Sequence, residues 1–360
     1  MTILIVILIL AVLIIVHELG HFIAAKLSGV KVEEFGIGYP PRAFRLGKIG
    51  DTEYTLNWIP FGGFVRLFGD EGEGERGRGT FVGAGRGTQV LILAAGVVMN
   101  LALGWALFGA GYALGIPRPV DLAGPGVRLY ISDVVPGSPA EAAGIRAGDE
   151  LTGMTDQHGA RPEALAPQAI KDYVALRGGE RIEISFKHNG AVETAHVIPA
   201  NGIIQGAAGR AGLGIGLVLV SSAPLSWRDS ARAAGQTTLY ALSSTAHNVW
   251  NIVRGALSGA PDLRGVIGPI GLIAVVGEAS QVGLAQVLAL AGFISVNLAV
   301  INLVPIPALD GGRLVILAIE TLIRRPASKL AVHLLNLFGI TAIIVLMVVV
   351  TYHDIARLVA

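Results

Sequence analysis

The chain has 360 residues, of which 52% are hydrophobic and only 15% charged, and a mean hydropathy of +0.64 excludes an ordinary soluble domain and a disordered chain. A net charge of +1 gives no electrostatic footprint for nucleic acid. There is no cysteine, so disulfides are excluded and any metal must be held by nitrogen and oxygen donors.

The first element is an apolar run, Ile3–Val16, that leads straight into His17-Glu18-Leu19-Gly20-His21. No basic residue precedes the run and no Ala-x-Ala pattern follows it, so 2–27 reads as a retained transmembrane helix and not as a signal peptide. On a helix, residues i and i+4 share a face. His17 and His21 therefore point the same way and can grip one metal ion, with Glu18 on the adjoining face in reach of a water. A chance match to H-E-x-x-H is the competing reading. Against it stands the cost of charged side chains in hydrocarbon, about 2.5–3.5 kcal/mol each near the centre of a span.

The region 32–68 reads as four short strands, Val32–Ile37, Ala43–Leu46, Glu53–Trp58 and Gly63–Leu67, separated by glycine and proline turns. Two readings stand open: a membrane-associated β region whose edge pairs with an extended substrate, or a plain connecting hairpin. Within 69–87, the stretch GDEGEGERGRG at Gly69–Gly79 reads as a flexible charged linker. A second span, 88–115, carries Asn100, to which a packing role between helices is assigned.

After 116–126 the composition becomes that of a soluble domain. The strand and helix order over 122–200, with GSPAEAAGIRAGDEL and an Asn189-Gly190 hairpin turn, resembles a PDZ domain. Its histidines, His158, His188 and His196, read as surface residues. The segment 202–283 reads as a Gly/Ala-rich linker that carries an amphipathic helix, Trp227–Leu257, lying at the membrane interface. Gly265–Gly271 reads as a helix break.

A third span, 284–304, carries Asn297 and Asn302 and stops at Val304-Pro305-Ile306-Pro307. In the following segment, 305–313, Asp310 lies beside broken backbone at membrane depth, which is tolerated only where it is buried or lines a cavity. Asp310 is the leading candidate for a third metal ligand. Glu278 and Glu320 are rivals, and Glu320 is expected to pair with Arg324 at i,i+4. A fourth span covers 332–353. Lys26 to Arg86 contains nine Lys/Arg and Arg313 to Lys329 contains four, which puts both connections in the cytoplasm. Both termini and the PDZ-like domain then lie outside, with the metal near the cytoplasmic face.

Taken together, HELGH at 17–21, EFGIGYPP at 34–41, FGGFVRL at 61–67, the PDZ pattern, GPIG at 268–271 and SVNLAVINLVPIPALDGGR at 295–313 resemble the site-2 protease family of intramembrane zinc metalloproteases. The bacterial, PDZ-containing type that cleaves anti-sigma factors (regulators of sigma factors) is the nearest in pattern. The resemblance implies zinc held by His17, His21 and Asp310, with Glu18 as general base. It also implies that Asn302 binds substrate backbone or oxyanion, with Asn297 nearby, and that 32–68 clamps an unwound substrate helix. The chain departs from the family at Ala95-Gly96-Val97, where Ala-Gly-Pro is usual, and in having one PDZ domain where many relatives have two.

The expected fold class is a polytopic α-helical membrane protein with about four transmembrane helices, a small membrane-associated β region and one extracytoplasmic PDZ (α+β) domain. The expected activity is hydrolysis of a peptide bond inside single-span membrane proteins, either anti-sigma factors in regulated intramembrane proteolysis or remnant signal peptides. Membrane lipid and a peptide tail at the PDZ domain are the other expected partners, with no nucleic acid. A monomer in the bacterial inner membrane is expected. A non-catalytic membrane adaptor is the rival class, and it leaves four intramembrane polar groups without a purpose. A metal transporter needs more intramembrane ligands than the chain supplies.

Overall fold

The computed structural model describes residues 1–70, 77–188, 190–202, 210–259, 266–325 and 327–359. The chain divides into two units, Met1–Ala113 with Leu225–Ala360, and Leu114–Pro224. Parts of the expected charged linker (71–76), of the hairpin turn (Asn189), of the Gly/Ala-rich stretch (203–209) and Gly265 of the expected break lie outside the described residues.

The first unit opens with α1, Thr2–Leu27. The strands β1, Val32–Ile49, and β2, Thr52–Leu67, follow as one antiparallel hairpin. The four short strands expected here are therefore two long ones. The prolines and glycines that read as chain breaks sit inside a continuous ladder, where repeated register shifts absorb them. Glu34 of β1 is buried, and Thr55 and the guanidinium groups of Arg42 and Arg66 satisfy it.

Next in this unit comes α2, Arg86–Ala113. Its buried residues recur every three or four positions, from Gln89 through Ile92, Gly96, Asn100, Gly104 and Phe108 to Gly111. Among these, Gly104 and Gly111 let neighbouring backbone approach closely, which is how helices pack where lipid supplies no hydrophobic drive.

The second unit holds β3 (Arg118–Val120), β4 (Val127–Val134), the short helix α3 (Pro139–Ala142), β5 (Glu150–Asp156), α4 (Pro167–Ala175), β6 (Ile182–His188), β7 (Ala191–Val197), β8 (Ala200–Asn201), β9 (Ala211–Gly212) and β10 (Ile215–Ser221). Six strands form one antiparallel sheet in the order β3-β10-β4-β5-β6-β7, and β8 pairs with β9. Leu129, Ile131, Ile145, Ile170, Ile182, Ile184 and Phe186 form its core. The sheet extends past both ends of the expected 122–200 domain. In particular, β10 lies in what reads as linker, and it enters the sheet between β3 and β4 because its alternating Leu217, Leu219 and Ser221 fit a half-buried strand.

Back in the first unit, α5, Trp227–Leu257, packs on α2: the Trp105 indole N–H donates to the Ala231 carbonyl, and the Tyr112 and Thr237 hydroxyls share a hydrogen bond. Ala234 and Ala241 pack with Phe108 and Val296, so the buried side of this helix is small and largely apolar. Within the expected break at Gly265–Gly271, 266–268 lie outside any helix and Pro269 opens another, α6, Pro269–Val282, with proline in its first turn where no N–H is needed. Asp354 accepts the Gly268 and Gly271 N–H groups there. Then come α7 (Leu284–Leu303), α8 (Asp310–Ile323) and α9 (Lys329–Val359). Among the described residues, four helices, Thr2–Leu27, Arg86–Ala113, Leu284–Leu303 and Leu330–Arg357, are long and apolar enough to cross a membrane.

Candidate active site

His17 and His21 are one helical turn apart on α1 and both are buried. Asp310 arrives from the far end of the sequence as the first residue of α8. Pro305 and Pro307 stop α7 just before it, with Val304 in extended conformation as the residue preceding proline. The two glycines after Asp310 then become necessary. A Cβ on Gly311 would lie 2.3 Å from the Leu303 carbonyl oxygen, and one on Gly312 would lie 2.3 Å from that of Ile306. The Asp-Gly-Gly sequence therefore lets the first turn of α8 press against the end of α7 and hold its carboxylate at a helix N-terminus.

Three ligand atoms converge. His17 Nε2 lies 3.0 Å from Asp310 Oδ2, His21 Nε2 lies 3.3 Å from the same oxygen, and the two Nε2 atoms are 3.2 Å apart. Four ligands arranged tetrahedrally at about 2.0 Å from zinc stand about 3.3 Å from one another. The trio fits three corners of that tetrahedron and leaves the fourth open, as a catalytic site requires. It is the only group of three or more potential ligands of this kind among the described residues. Glu278 and Glu320, the rival ligands, do not belong to it. Glu320 pairs instead with Arg86 at 2.9 Å and accepts the Ala327 N–H, so the expected Arg324 pair is replaced. Arg324 ends α8 in a left-handed conformation, which takes it out of helical register.

The far side of each ring is also engaged. His21 Nδ1–H donates to the Ile92 carbonyl of α2 at 2.8 Å, which fixes its tautomer and leaves Nε2 as the free lone pair. A Cβ on Gly96 would come within 2.5 Å of His21 Nε2 and 2.7 Å of His17 Cε1. The α2 backbone is thus the back wall of the site, and only glycine fits there. Sequence reasoning did not find this wall. The signal available was the i, i+4, i+8 spacing of Ile92, Gly96 and Asn100.

A cavity of about 340 Å³ opens in front of the trio. Glu18 lines it from α1, Asn302 from α7, Ala308 and Arg313 from either side of Asp310, and Tyr39, Gly62–Val65 and Leu67 from the hairpin. Glu18 lies against Gly63, where an added Cβ would meet its Cγ at 3.1 Å. The Asn302 amide nitrogen is 3.3 Å from His17 Nε2, at the metal-facing edge. Asn297 does not join them: it accepts a hydrogen bond from Thr245 of α5. Two of the lining residues on either side of Asp310 are held by partners of their own. Arg313 is paired with Asp70, and Ala308 is held at φ 80 while its N–H donates to Asn336 of α9.

Comparison with known proteins gives the family. A candidate zinc metalloprotease of Clostridium perfringens is 35% identical over 344 residues, covering 95% of each chain. One from Clostridium acetobutylicum is 30% identical, covering 98% of this chain and 97% of its own. Zinc metalloprotease RasP of Geobacillus kaustophilus is 26% identical over 95% of this chain and 94% of its own. Among solved structures, the PDZ domain of an SdrC-like protein from Listeria monocytogenes aligns to 27% of this chain and 93% of its own length, at 27% identity and a TM-score of 0.21. The model of Peptidase family M50 matches residues 5–352, and the chain belongs to that family.

Proposed function

We propose that this chain hydrolyses a peptide bond within the transmembrane segment of single-span membrane proteins, with His17, His21 and Asp310 holding zinc and Glu18 as general base. The observation that carries this reading is the convergence, at 3.0–3.3 Å, of two imidazole nitrogens from the apolar helix α1 and one carboxylate oxygen from the start of α8. A member of Peptidase family M50 with named zinc-metalloprotease relatives is a zinc metalloprotease.

Zinc, when bound, supplies Lewis acidity, polarising a carbonyl and lowering the pKa of a coordinated water to about 7. Glu18 takes the proton of the attacking water and returns it to the leaving amine. Asn302 donates its amide N–H to the carbonyl oxygen as negative charge develops there. A transmembrane helix hides its own peptide bonds, so the substrate unwinds locally before it is cut. The β1–β2 hairpin is a two-stranded sheet whose second strand lines the cavity, and its strand edge suits an extended substrate segment. With the basic connections in the cytoplasm, the site lies near the cytoplasmic face of a bacterial inner membrane. The PDZ-like unit is then extracytoplasmic and available to a peptide tail. Anti-sigma factors and remnant signal peptides are the two substrate classes that this arrangement serves.

The test is cleavage of a single-span model substrate by the purified, detergent-solubilised chain. Wild type is expected to cut inside the span, and Glu18→Gln to retain zinc while losing about 10²–10⁴-fold or more in rate. Equal cutting by both proteins would remove Glu18 from the mechanism.

A further inference from the structure

We infer that Asn100 is a positioning residue that sets the tautomer of His17: its side-chain carbonyl accepts the Nδ1–H when Nε2 is turned to the metal. The inference rests on the metal reading above and adds a residue to it.

Asn100 is fully buried on α2. An amide whose work is to join helices would spend its hydrogen bonds on a neighbouring backbone. Here that work is done by the Asn100 main chain, whose carbonyl accepts the Ser295 hydroxyl of α7 at 2.8 Å. The side chain faces His17 Nδ1 at 3.3 Å, and its own oxygen has no hydrogen-bond partner among the described residues. With the amide nitrogen toward the ring, Nδ1 is the bare nitrogen and Nε2 carries the proton, aimed at Asp310 and closed to a metal. A half-turn of the amide exchanges its two ends. The oxygen that lacks a partner then meets an Nδ1–H, and Nε2 presents its lone pair beside those of His21 and Asp310.

The arrangement repeats what is seen for the other ring. His21 Nδ1–H is received by the Ile92 carbonyl, and Asn100 stands eight residues, a little over two helical turns, further along the same face of α2. Between them Gly96 leaves space for both imidazoles. One helix face thus supplies an acceptor for each histidine, from the backbone in one case and from a side chain in the other. Such partners fix ring orientation, and their loss typically costs 10–100-fold in metal affinity.

The experiment measures zinc affinity of the purified full chain by competition with chelators of graded strength. Asn100→Leu, close in volume but without an acceptor, is expected to bind zinc about 10–100-fold more weakly than wild type. Asn100→Asp, which keeps an acceptor at the same reach, is expected to bind at least as tightly as wild type. In a His17→Ala background, Asn100→Leu is expected to change affinity no further. Equal affinity of wild type and Asn100→Leu, or a loss in Asn100→Asp as large as that in Asn100→Leu, overturns the inference. Should Asn100→Leu fail to fold, the comparison of Asn100→Asp with wild type decides alone, and weaker binding by Asn100→Asp overturns it. Absence of zinc from the wild type overturns the metal reading, and the inference with it.

Discussion

The two units of the chain invert each other's rule for what is inside. In the PDZ-like unit the inward residues are Ile131, Ile145, Ile170, Ile182 and Ile184, and charged groups pair at the surface. In the helical unit Leu4, Leu8, Phe338 and Val348 face outward, while His17, His21, Gln89, Asn100, Ser295 and Asp354 are buried. Lipid is as apolar as leucine, so burying leucine between spans gains little, and helix contacts there are made by small residues and polar groups. Among the helices of the first unit a buried polar side chain such as Ser295 or His17 therefore marks either a helix joint or the site. In the second unit the same observation marks a local turn, as at Asp156.

The comparison can be broken most severely at Gly96. Gly96→Val would drive side-chain carbons into both imidazoles, whose atoms already lie within 2.8 Å of where a Cβ would sit. Zinc content and proteolysis are expected to fall together by at least about 100-fold, the scale of misplacing a catalytic group. Full activity in this variant would show that α2 is not the back wall.

A large truncation in the other unit should act differently. Ile131 is 1% exposed in the PDZ-like core, and Ile131→Ala is expected to cost that unit about 2–5 kcal/mol. Hydrogen exchange across β4 to β6 is the readout, with zinc content unchanged.

Asp156 sharpens the contrast on the polar side. Its carboxylate accepts the Arg177 guanidinium at 2.7 Å and the N–H groups of His158 and Ala160, and the Arg177 hydrogen bond, foremost, holds its pKa below the ordinary carboxylate value. A depressed folded pKa gives stability that is full above the unfolded value of about 3.9 and is lost as pH falls through the folded value. Asp156→Asn is thus expected to destabilise the unit at neutral pH, and its deficit relative to wild type to narrow as the pH falls below about 3.9. A deficit that stays constant with pH would contradict this account.

The smallest effect is expected on the lipid-facing side. Leu8 is 64% exposed on α1, and Leu8→Ala is expected to shift thermal stability of the solubilised chain by no more than about 0.5 kcal/mol.

The parts legible in the sequence were those with local signals. Long apolar runs announced the four helices apolar enough to cross a membrane, H-E-x-x-H announced by helical period that His17 and His21 share a face, and Asp310 stood out because a carboxylate beside prolines has no ordinary place at membrane depth. The rest depended on distant partners. Arg86 meets Glu320 across 234 positions, which no i,i+4 rule can foresee. Continuity of β1 and β2 was hidden because proline and glycine serve as bulges there as well as turns. The strand β10 was missed because a short strand in a Gly/Ala-rich neighbourhood gains its identity only from the sheet it joins. Asn297 and Asn302 look alike on one helix, yet they face different neighbours, Thr245 and His17.

The central claim is that three side chains from the two ends of the chain bind one zinc ion within the spans. X-ray absorption at the zinc edge of the purified full chain tests it most directly. The account predicts one zinc per chain with two imidazole nitrogens and oxygen donors at about 2.0–2.2 Å, and loss of that shell in Asp310→Ala. A zinc-free wild type, or a ligand shell unchanged in Asp310→Ala, would contradict it.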